Sequence, residues 1–252
     1  AIATETEVAM RYMELEFPPA TALSPDHLHI WPRDQEMMIA LPNLDGSFTV
    51  TLFRDDFELN DEQVTRLFTD LYPDTIKHFG SIERLLEQFR SNPVGRLQTV
   101  NVSQFHFGPR VAIFGDAAHA MVPFYGQGMN AGFEDISVLG ELLLLDDSVD
   151  MALFTQKRLE DAKAICRMAM ENYREMASLV TSTVFKFEQH CLRAVHRLAP
   201  GLVIPRYTMV SFTSIPYREV VRRDAWQRAV LYCVLVVISG SLVWTLLSWL
   251  SS

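Results

Sequence analysis

Apolar and polar residues alternate in the first third of the chain with the two-residue period that is typical of β-strands. The alternation is clearest over residues 28–31, 37–41 and 48–53. The last two segments are joined through Asp45 and Gly46, a pair that favours a tight hairpin turn. We therefore expect an antiparallel sheet, followed by a further extended segment at 97–102.

Helical periodicity replaces this pattern at several places further along the chain. Asn60 and Gln63 form a capping-box sequence, and apolar residues three and four apart follow it until Pro73. A second short helix is expected over 82–89. Over 151–198 the apolar spacing is mostly helical, with one β-branched interruption, which predicts two or three packed helices.

The last 24 residues differ in character, because no charged residue occurs from 229 to 252. About 20 apolar residues at 1.5 Å each cover the ~30 Å hydrocarbon core of a bilayer. Four arginines precede the run: Arg218, Arg222, Arg223 and Arg228. A basic flank of this kind predicts a transmembrane tail anchor with the folded body in the cytosol. The alternative interpretation is a buried helix.

Composition narrows the possible functions. The 252 residues are 49% hydrophobic, which is enough for a full core, and the net charge is −9 with a pI of about 5.2. An acidic chain of this kind argues against nucleic acid as a partner, since phosphate contacts need clustered Lys and Arg. The three cysteines are odd in number and widely spaced, so they predict neither a disulfide framework nor a metal site.

The densest candidate chemistry lies between residues 111 and 135. An apolar strand at 111–114 is expected to lead into a turn at Gly115 and Asp116. A loop containing Gly126 and Gly128 follows, and then a helix from about 130 to 145. Strand, acidic turn, glycine loop and helix start therefore follow one another without interruption.

Asp116 and the glycine loop suggest two kinds of ligand contact. A carboxylate among small residues can accept hydrogen bonds from ligand hydroxyls that approach the backbone closely. Free N–H groups at a helix N-terminus attract negative charge, such as that of a reduced isoalloxazine. The alternatives are an Asp that caps the next turn and a glycine turn that merely starts a helix. Order and spacing favour half of a flavin site.

The sequence also lacks several motifs. It contains no Gly-x-Ser-x-Gly, His-Glu-x-x-His or Cys-x-x-Cys pattern, so hydrolase and metalloenzyme functions have no support. We assign no catalytic residue, and we interpret His119 as a structural histidine. It also contains no Gly-x-Gly-x-x-Gly unit for the ADP portion of FAD, and we therefore expect the chain to be an incomplete portion of an enzyme.

Residues 115–119 and 126–135 resemble the second flavin motif of the FAD-dependent aromatic hydroxylases. More narrowly, residues 12–15, 29–33, 37–43, 171–173, 175–176 and 204–210 resemble the kynurenine 3-monooxygenase branch of that family. The resemblance implies an α+β chain with a partial FAD-dependent hydroxylase fold. Its parts would be a substrate-wall sheet with helices (1–110), the second FAD motif and its helix (111–150), a helical segment (151–228) and a transmembrane anchor (229–252).

The resemblance also implies site residues and chemistry. FAD would be bound by Asp116, Gly126, Gly128, Met129 and Asn130. The substrate would be bound by Pro123, Phe124, Tyr125, Asn172 and Tyr207, with a wall at Ile39, Leu41, Thr49 and Thr51. The implied reaction is NADPH-driven hydroxylation of L-kynurenine to 3-hydroxykynurenine in tryptophan degradation, and the implied location is the mitochondrial outer membrane. The implied partner is an amino-terminal unit of the same enzyme that carries the dinucleotide motif.

Two other interpretations stay open at this point. The chain could belong to a related flavin hydroxylase that acts on another aromatic substrate. It could also be a truncated, membrane-anchored product without enzymatic activity, in which the flavin motif is retained only as structure.

Overall fold

The computed structural model describes residues 3–19, 21–33, 36–145, 150–177 and 182–250. Its main sheet has five strands in the order β2-β3-β4-β1-β5. The strands are β1 (Ala3–Phe17), β2 (His29–Arg33), β3 (Glu36–Pro42), β4 (Phe48–Arg54) and β5 (Val94–Val102). All neighbouring strands pair antiparallel, and Gly46 has a φ of 84° in the β3–β4 turn. The predicted antiparallel sheet and hairpin are confirmed, and β1 is an additional strand that lies between β4 and β5.

One face of the sheet packs against three short helices. Because successive side chains in a strand point to opposite faces, Met38 and Leu52 lie on this face, and both are fully buried. The helices are α1 (Asp61–Arg66), α2 (Ile76–Phe79) and α3 (Ile82–Ser91), and a π-helical turn at Leu67–Leu71 extends α1. Asn60 caps α1 with the predicted capping box.

The opposite face of the sheet carries Met37 and Phe53, and it faces the rest of the molecule. The first elements there are β6 (His106–Phe107), β7 (Val111–Ala112), α4 (Asp116–His119), a 3₁₀ turn at Pro123–Tyr125 and α5 (Gly128–Leu145). They are followed by α6 (Met151–Ala177), α7 (Thr183–Leu198), α8 (Arg206–Phe212) and α9 (Tyr217–Leu250). Two or three helices were predicted over 151–198, and the described residues of this range form two, α6 and α7.

Two predicted boundaries need correction. The strand expected over 111–114 contains only Val111–Ala112 and pairs only with β6. It does not join the main sheet, which explains its short length. The helix expected from about 130 begins instead at Gly128, so the second glycine of the loop belongs to its first turn.

The carboxyl-terminal helix also differs from expectation. α9 begins at Tyr217, and its first turns are buried at Tyr217, Val220, Asp224 and Gln227. Among the described residues, no helix is both long enough and apolar enough to cross a membrane. The tail anchor expected over 229–252 is therefore unsupported, and residues 251 and 252 lie outside the described residues. The mitochondrial location stays a prediction.

Candidate functional site

Two glycine turns border one cleft. Gly115 and Gly126 have φ values of 59° and 63°, a region that residues with a Cβ rarely adopt. The cleft has a volume of about 520 Å³ and is lined by Gly115, Asp116, Met121, Pro123, Gly126, Gly128, Met129 and Gly132. A Cβ added at Gly115, Gly126 or Gly128 would meet no atom within 4 Å. The backbone at these positions is therefore open to a ligand.

Asp116 is exposed and is the first residue of α4. The residue before it, Gly115, occupies the N-cap position, and no side chain makes a capping hydrogen bond there. The interpretation of Asp116 as a helix cap is therefore wrong. Asp116 lines the cleft, so its carboxylate can accept hydrogen bonds from ligand hydroxyls there.

The first turn of α5 forms another wall of the cleft. The Ala131 N–H donates to the Gln127 carbonyl at 2.8 Å, the first bond of the helical pattern. The N–H groups of the residues before Ala131 precede that bond and have no acceptor within the helix. Met129 is 71% exposed, and the Asn130 side chain donates to Gln127 Oε1 at 3.2 Å. These N–H groups and the helix dipole favour a negatively charged ligand atom.

A buried charge cluster holds the Gly115 turn against α5. Asp135 is 0% exposed. It accepts hydrogen bonds from His119 Nε2 at 2.5 Å, the Gly115 N–H at 2.9 Å and Arg158 Nε at 2.7 Å. Burial alone would raise the pKa of Asp135, but these hydrogen bonds outweigh it and lower the pKa below its usual value. His119 is 2% exposed and is bonded to Asp135. This environment is what we expect of a structural histidine.

A second, largely apolar cavity of about 420 Å³ adjoins the cleft and shares Pro123 and Gly126 with it. Its sheet wall consists of Leu28, Ile30, Met37, Ile39, Leu41 and Phe53, and its other wall contains Phe124, Tyr125, Asn172, Met176 and Tyr207. Every residue predicted to bind substrate therefore lines one cavity. Thr49 and Thr51 pair with Leu41 and Ile39 in register but do not line it, so the wall is more apolar than expected.

Asn172 and Tyr207 offer different kinds of polar group to this cavity. The Asn172 side-chain N–H donates to the Phe124 carbonyl at 2.7 Å and to Met176 Sδ, which leaves Oδ1 as the acceptor. The Tyr207 hydroxyl has no hydrogen-bond partner among the described residues, and its ring stacks on Tyr125 with centroids 6.1 Å apart. Burial raises the pKa of Tyr125 to about 12, so this residue stays protonated at neutral pH.

The sequence did not predict the buried residues that support the walls of the cleft. Arg158 is 1% exposed and bridges Asp135 to the Ala131 carbonyl. Gln127 is also buried, and its Oε1 accepts from the Tyr217 hydroxyl at 3.2 Å. Arg158 falls at helical spacing among the buried apolar residues of α6, and this placement in the sequence is a signal for a buried ion pair. The contact between Gln127 and Tyr217 spans 90 positions in the sequence and had no local signal.

Known proteins match most of the chain. Residues 3–146 match the family model described as FAD binding domain. Kynurenine 3-monooxygenase of Sus scrofa is 44% identical over 230 residues, which cover 87% of this chain and 49% of that protein. Kynurenine 3-monooxygenase of Stenotrophomonas maltophilia is 40% identical, covering 87% and 50%. The chain thus spans about half the length of the curated relatives it matches.

Solved structures share the fold at lower identity. Klebsiella pneumoniae HpxO complexed with FAD and uric acid has a TM-score of 0.55 at 17% identity, covering 79% of this chain and 53% of that chain. A salicylate hydroxylase substrate complex has a TM-score of 0.52 at 18% identity, covering 75% and 53%. These likenesses establish a fold with mixed helix and sheet of the FAD-dependent hydroxylase type.

Proposed function

Because the chain belongs to the FAD binding domain family and is homologous to kynurenine 3-monooxygenases, we propose that it forms the substrate-facing half of an FAD- and NADPH-dependent kynurenine hydroxylase. One observation carries the proposal. The glycine-lined cleft and the apolar cavity meet at Pro123 and Gly126. A cofactor in the cleft would therefore lie directly beside a ring in the cavity.

The residues of the cleft fit one half of FAD. The open backbone at Gly115, Gly126 and Gly128 admits a flat or chain-like ligand at van der Waals distance. Asp116 would bind a ribityl hydroxyl, and the first turn of α5 at Met129 and Asn130 would bind the electron-rich edge of the isoalloxazine. When bound, FAD reduced by NADPH supplies the oxygen chemistry of the hydroxylation. The residues of the chain position the ring and exclude water.

The cavity fits an aromatic amino acid. Its sheet wall at Ile39, Leu41 and Phe53 is apolar and suits an aryl ring, whereas Asn172 and Tyr207 stand on the opposite wall. Asn172 Oδ1 would accept a hydrogen bond from the substrate ammonium group, and the Tyr207 hydroxyl would bond the same amino acid portion. Phe124 and Tyr125 would separate that portion from the cofactor.

A second polypeptide unit would complete the flavin site. The exposed side of α5 carries an apolar stripe at Met129, Phe133, Ile136, Leu143 and Leu144. Met129 belongs to this stripe and also lines the cleft, so whatever covers α5 would reach the cofactor. The lining of the cleft contains no glycine turn for the pyrophosphate of FAD, and a dinucleotide-binding unit would supply one.

A fusion protein tests the proposed function. The chain would be joined to the portion of the Sus scrofa relative that it does not cover, and FAD content and kynurenine hydroxylation with NADPH would be measured. We expect both. Asp116→Ala should weaken FAD binding about tenfold to a hundredfold, because a charge-assisted hydrogen bond contributes about 1.5–3 kcal/mol. Asp70→Ala, an exposed carboxylate outside the cleft, is the matched control.

Substrate binding is tested in the same fusion protein. Tyr207→Phe removes only a hydroxyl without a described partner, so it should raise the KM for kynurenine and leave the FAD content unchanged. A flavin-loaded fusion that hydroxylates another aromatic compound but not kynurenine would favour the related-hydroxylase interpretation. A folded fusion that holds no FAD would contradict the proposal.

A further inference from the structure

A third cavity lies on the far side of Asn172 and Tyr207. It has a volume of about 650 Å³ and lies among α6, α7, α8 and α9. Tyr125, Asn172 and Tyr207 line both this cavity and the apolar cavity, so these three side chains form the partition between them. In contrast to the apolar cavity, most of the other lining residues are polar or charged.

Two of its arginines are already neutralised by carboxylates. Arg206 is bonded to Glu171 at 2.8 Å and also to Glu175. Arg228 is bonded to Asp224 at 3.1 Å and also to Glu188. The two acidic residues of the cavity wall, Glu175 and Asp224, are therefore both occupied by these arginines. Neither lining carboxylate is therefore without an arginine partner, although the four carboxylates outnumber the two arginines.

The cavity has a second set of cations that lack this compensation. Lys186, Arg193 and Arg197 line it from α7 and are exposed at its mouth. Their spacing of seven and four positions places them on one helix face. None of the three has a carboxylate partner within the described part of the chain, and Arg193 donates only to the Gln189 carbonyl of its own helix. In a chain of net charge −9, this is a row of three cations without ion-pair partners among the described residues.

Aromatic and apolar side chains form the inner part of the cavity. The rings of Tyr125 and Tyr207 are stacked with an interplanar angle of 20°. Phe185 and Leu192 lie on the α7 wall, beside the cations. A ligand that reached from the mouth to the partition would thus meet positive charge first and aromatic surface second.

From this arrangement we infer a binding site for small aromatic carboxylates that is separate from the apolar cavity. The carboxylate is held by Lys186, Arg193 and Arg197, and the ring lies against Tyr125 and Tyr207. Since the site needs neither flavin nor catalysis, it goes beyond the proposed hydroxylase function and can be tested independently of it.

The full 252-residue chain is titrated with 2-aminobenzoate by equilibrium dialysis at low salt. Three further probes separate charge from ring: 2-aminobenzamide has the ring without the charge, acetate has the charge without the ring, and inorganic phosphate is another anion. The inference expects 2-aminobenzoate to bind about tenfold more tightly than the amide, and binding to weaken with salt. Binding of phosphate or acetate at equal affinity would overturn the aromatic part of the assignment.

Charge variants locate the site. Lys186→Glu combined with Arg197→Glu should weaken 2-aminobenzoate binding at least about tenfold, because two favourable charges become repulsive. Lys157→Glu is the matched control: it changes an exposed α6 lysine outside the cavity and should alter affinity less than about twofold. Equal losses in both proteins would overturn the inference, as would the absence of binding at millimolar probe.

A third variant excludes the apolar cavity as the binding place. Leu41→Trp places bulk into that cavity at a position that is already 45% exposed, so the sheet tolerates it. The site assigned here predicts unchanged 2-aminobenzoate affinity in Leu41→Trp. Loss of binding in this variant, with normal binding in the α7 charge variant, would place the probe in the apolar cavity and overturn the inference.

Discussion

Asp135 fixes the position of the Gly115 turn, which borders the cleft. Its two carboxylate oxygens accept from three donors that belong to three parts of the chain: the Gly115 N–H, His119 in α4 and Arg158 in α6. The Gly115 bond fixes the turn from which Asp116 projects. A fully buried carboxylate therefore sets the position of an exposed carboxylate that lines the cleft.

Asp135→Asn should destabilise the chain by about 1.5–3 kcal/mol, because the buried Arg158 guanidinium loses one of its two carboxylate partners and keeps only the partly exposed Glu134, at 2.8 Å. Urea unfolding measures the change. Asp70→Asn, which alters an exposed carboxylate, should stay within about 0.5 kcal/mol of the native chain. A loss in Asp135→Asn no larger than that of the control would show that the buried cluster contributes little.

The pH dependence of the same variant has a definite sign. Because the pKa of Asp135 is lowered in the folded state, its stabilisation is present above the unfolded pKa of about 3.9 and is lost as pH falls through the folded value. The stability difference between the native chain and Asp135→Asn should therefore be constant near neutral pH and shrink below about pH 4. A difference that grew on acidification would contradict this assignment.

At the scale of elements, the two glycines of the loop have different roles: Gly126 allows a backbone conformation with positive φ, whereas Gly128 begins α5. Gly126 has a φ of 63°, so Gly126→Ala should cost about 1–2 kcal/mol of stability. Gly128 is in the first turn of α5 without such a φ, so Gly128→Ala should leave stability unchanged or raise it by up to about 1 kcal/mol. Thermal unfolding measures both.

Both substitutions place a methyl group in the cleft, so both should weaken FAD binding in the fusion protein described above. Gly128→Ala is the informative one, because its stability is not reduced. A Gly128→Ala fusion that retained normal FAD affinity would show that no ligand approaches the backbone there, and that the glycine only starts a helix.

The elements that the sequence predicted well have local causes. The capping box at Asn60 and the β3–β4 turn at Gly46 depend on neighbouring residues alone, and the structure confirms both. The order of strand, acidic turn and glycine loop also located the cleft. Sheet order, the burial of Arg158 and the bond between Tyr217 and Gln127 depend on contacts between distant segments, which periodicity does not encode.

The expectation for the carboxyl-terminal segment, in contrast, is unsupported. It was based on the uncharged run at 229–252, whereas α9 begins before that run, at Tyr217. Val220 and Gln227 are buried in this first part, and the Gln227 side chain bonds the backbone of Ile204 in both directions. Hydropathy alone gave no signal for this packing.

At the scale of the whole molecule, the 3₁₀ turn is the point at which the cleft and the apolar cavity meet. Phe124 in this turn contacts Phe53 of the sheet with ring centroids 5.0 Å apart and Tyr173 of α6 with centroids 4.7 Å apart. The turn is therefore held from both sides. These aromatic contacts fix the position of the turn, and with it the shared wall of the cleft and the apolar cavity, relative to the sheet and α6.

The apolar stripe on α5 gives the last prediction. Phe133 and Ile136 are 59% and 49% exposed, and contiguous apolar surface of this kind promotes association in water. We expect the chain alone to self-associate with rising concentration in sedimentation velocity. Phe133→Lys combined with Ile136→Lys should shift it towards monomer, and so should fusion to a dinucleotide-binding unit, because that unit would cover the same face.

Phe187→Lys provides the control for this experiment, since Phe187 is 58% exposed on α7, away from the α5 stripe. If the α7 variant reduced association as much as the α5 variant, general surface hydrophobicity would be the cause and not this stripe. If the fusion stayed associated while the α5 variant became monomeric, the unit would leave α5 uncovered. The proposed completion of the flavin site across this helix would then be wrong, because Met129 joins the stripe to the cleft.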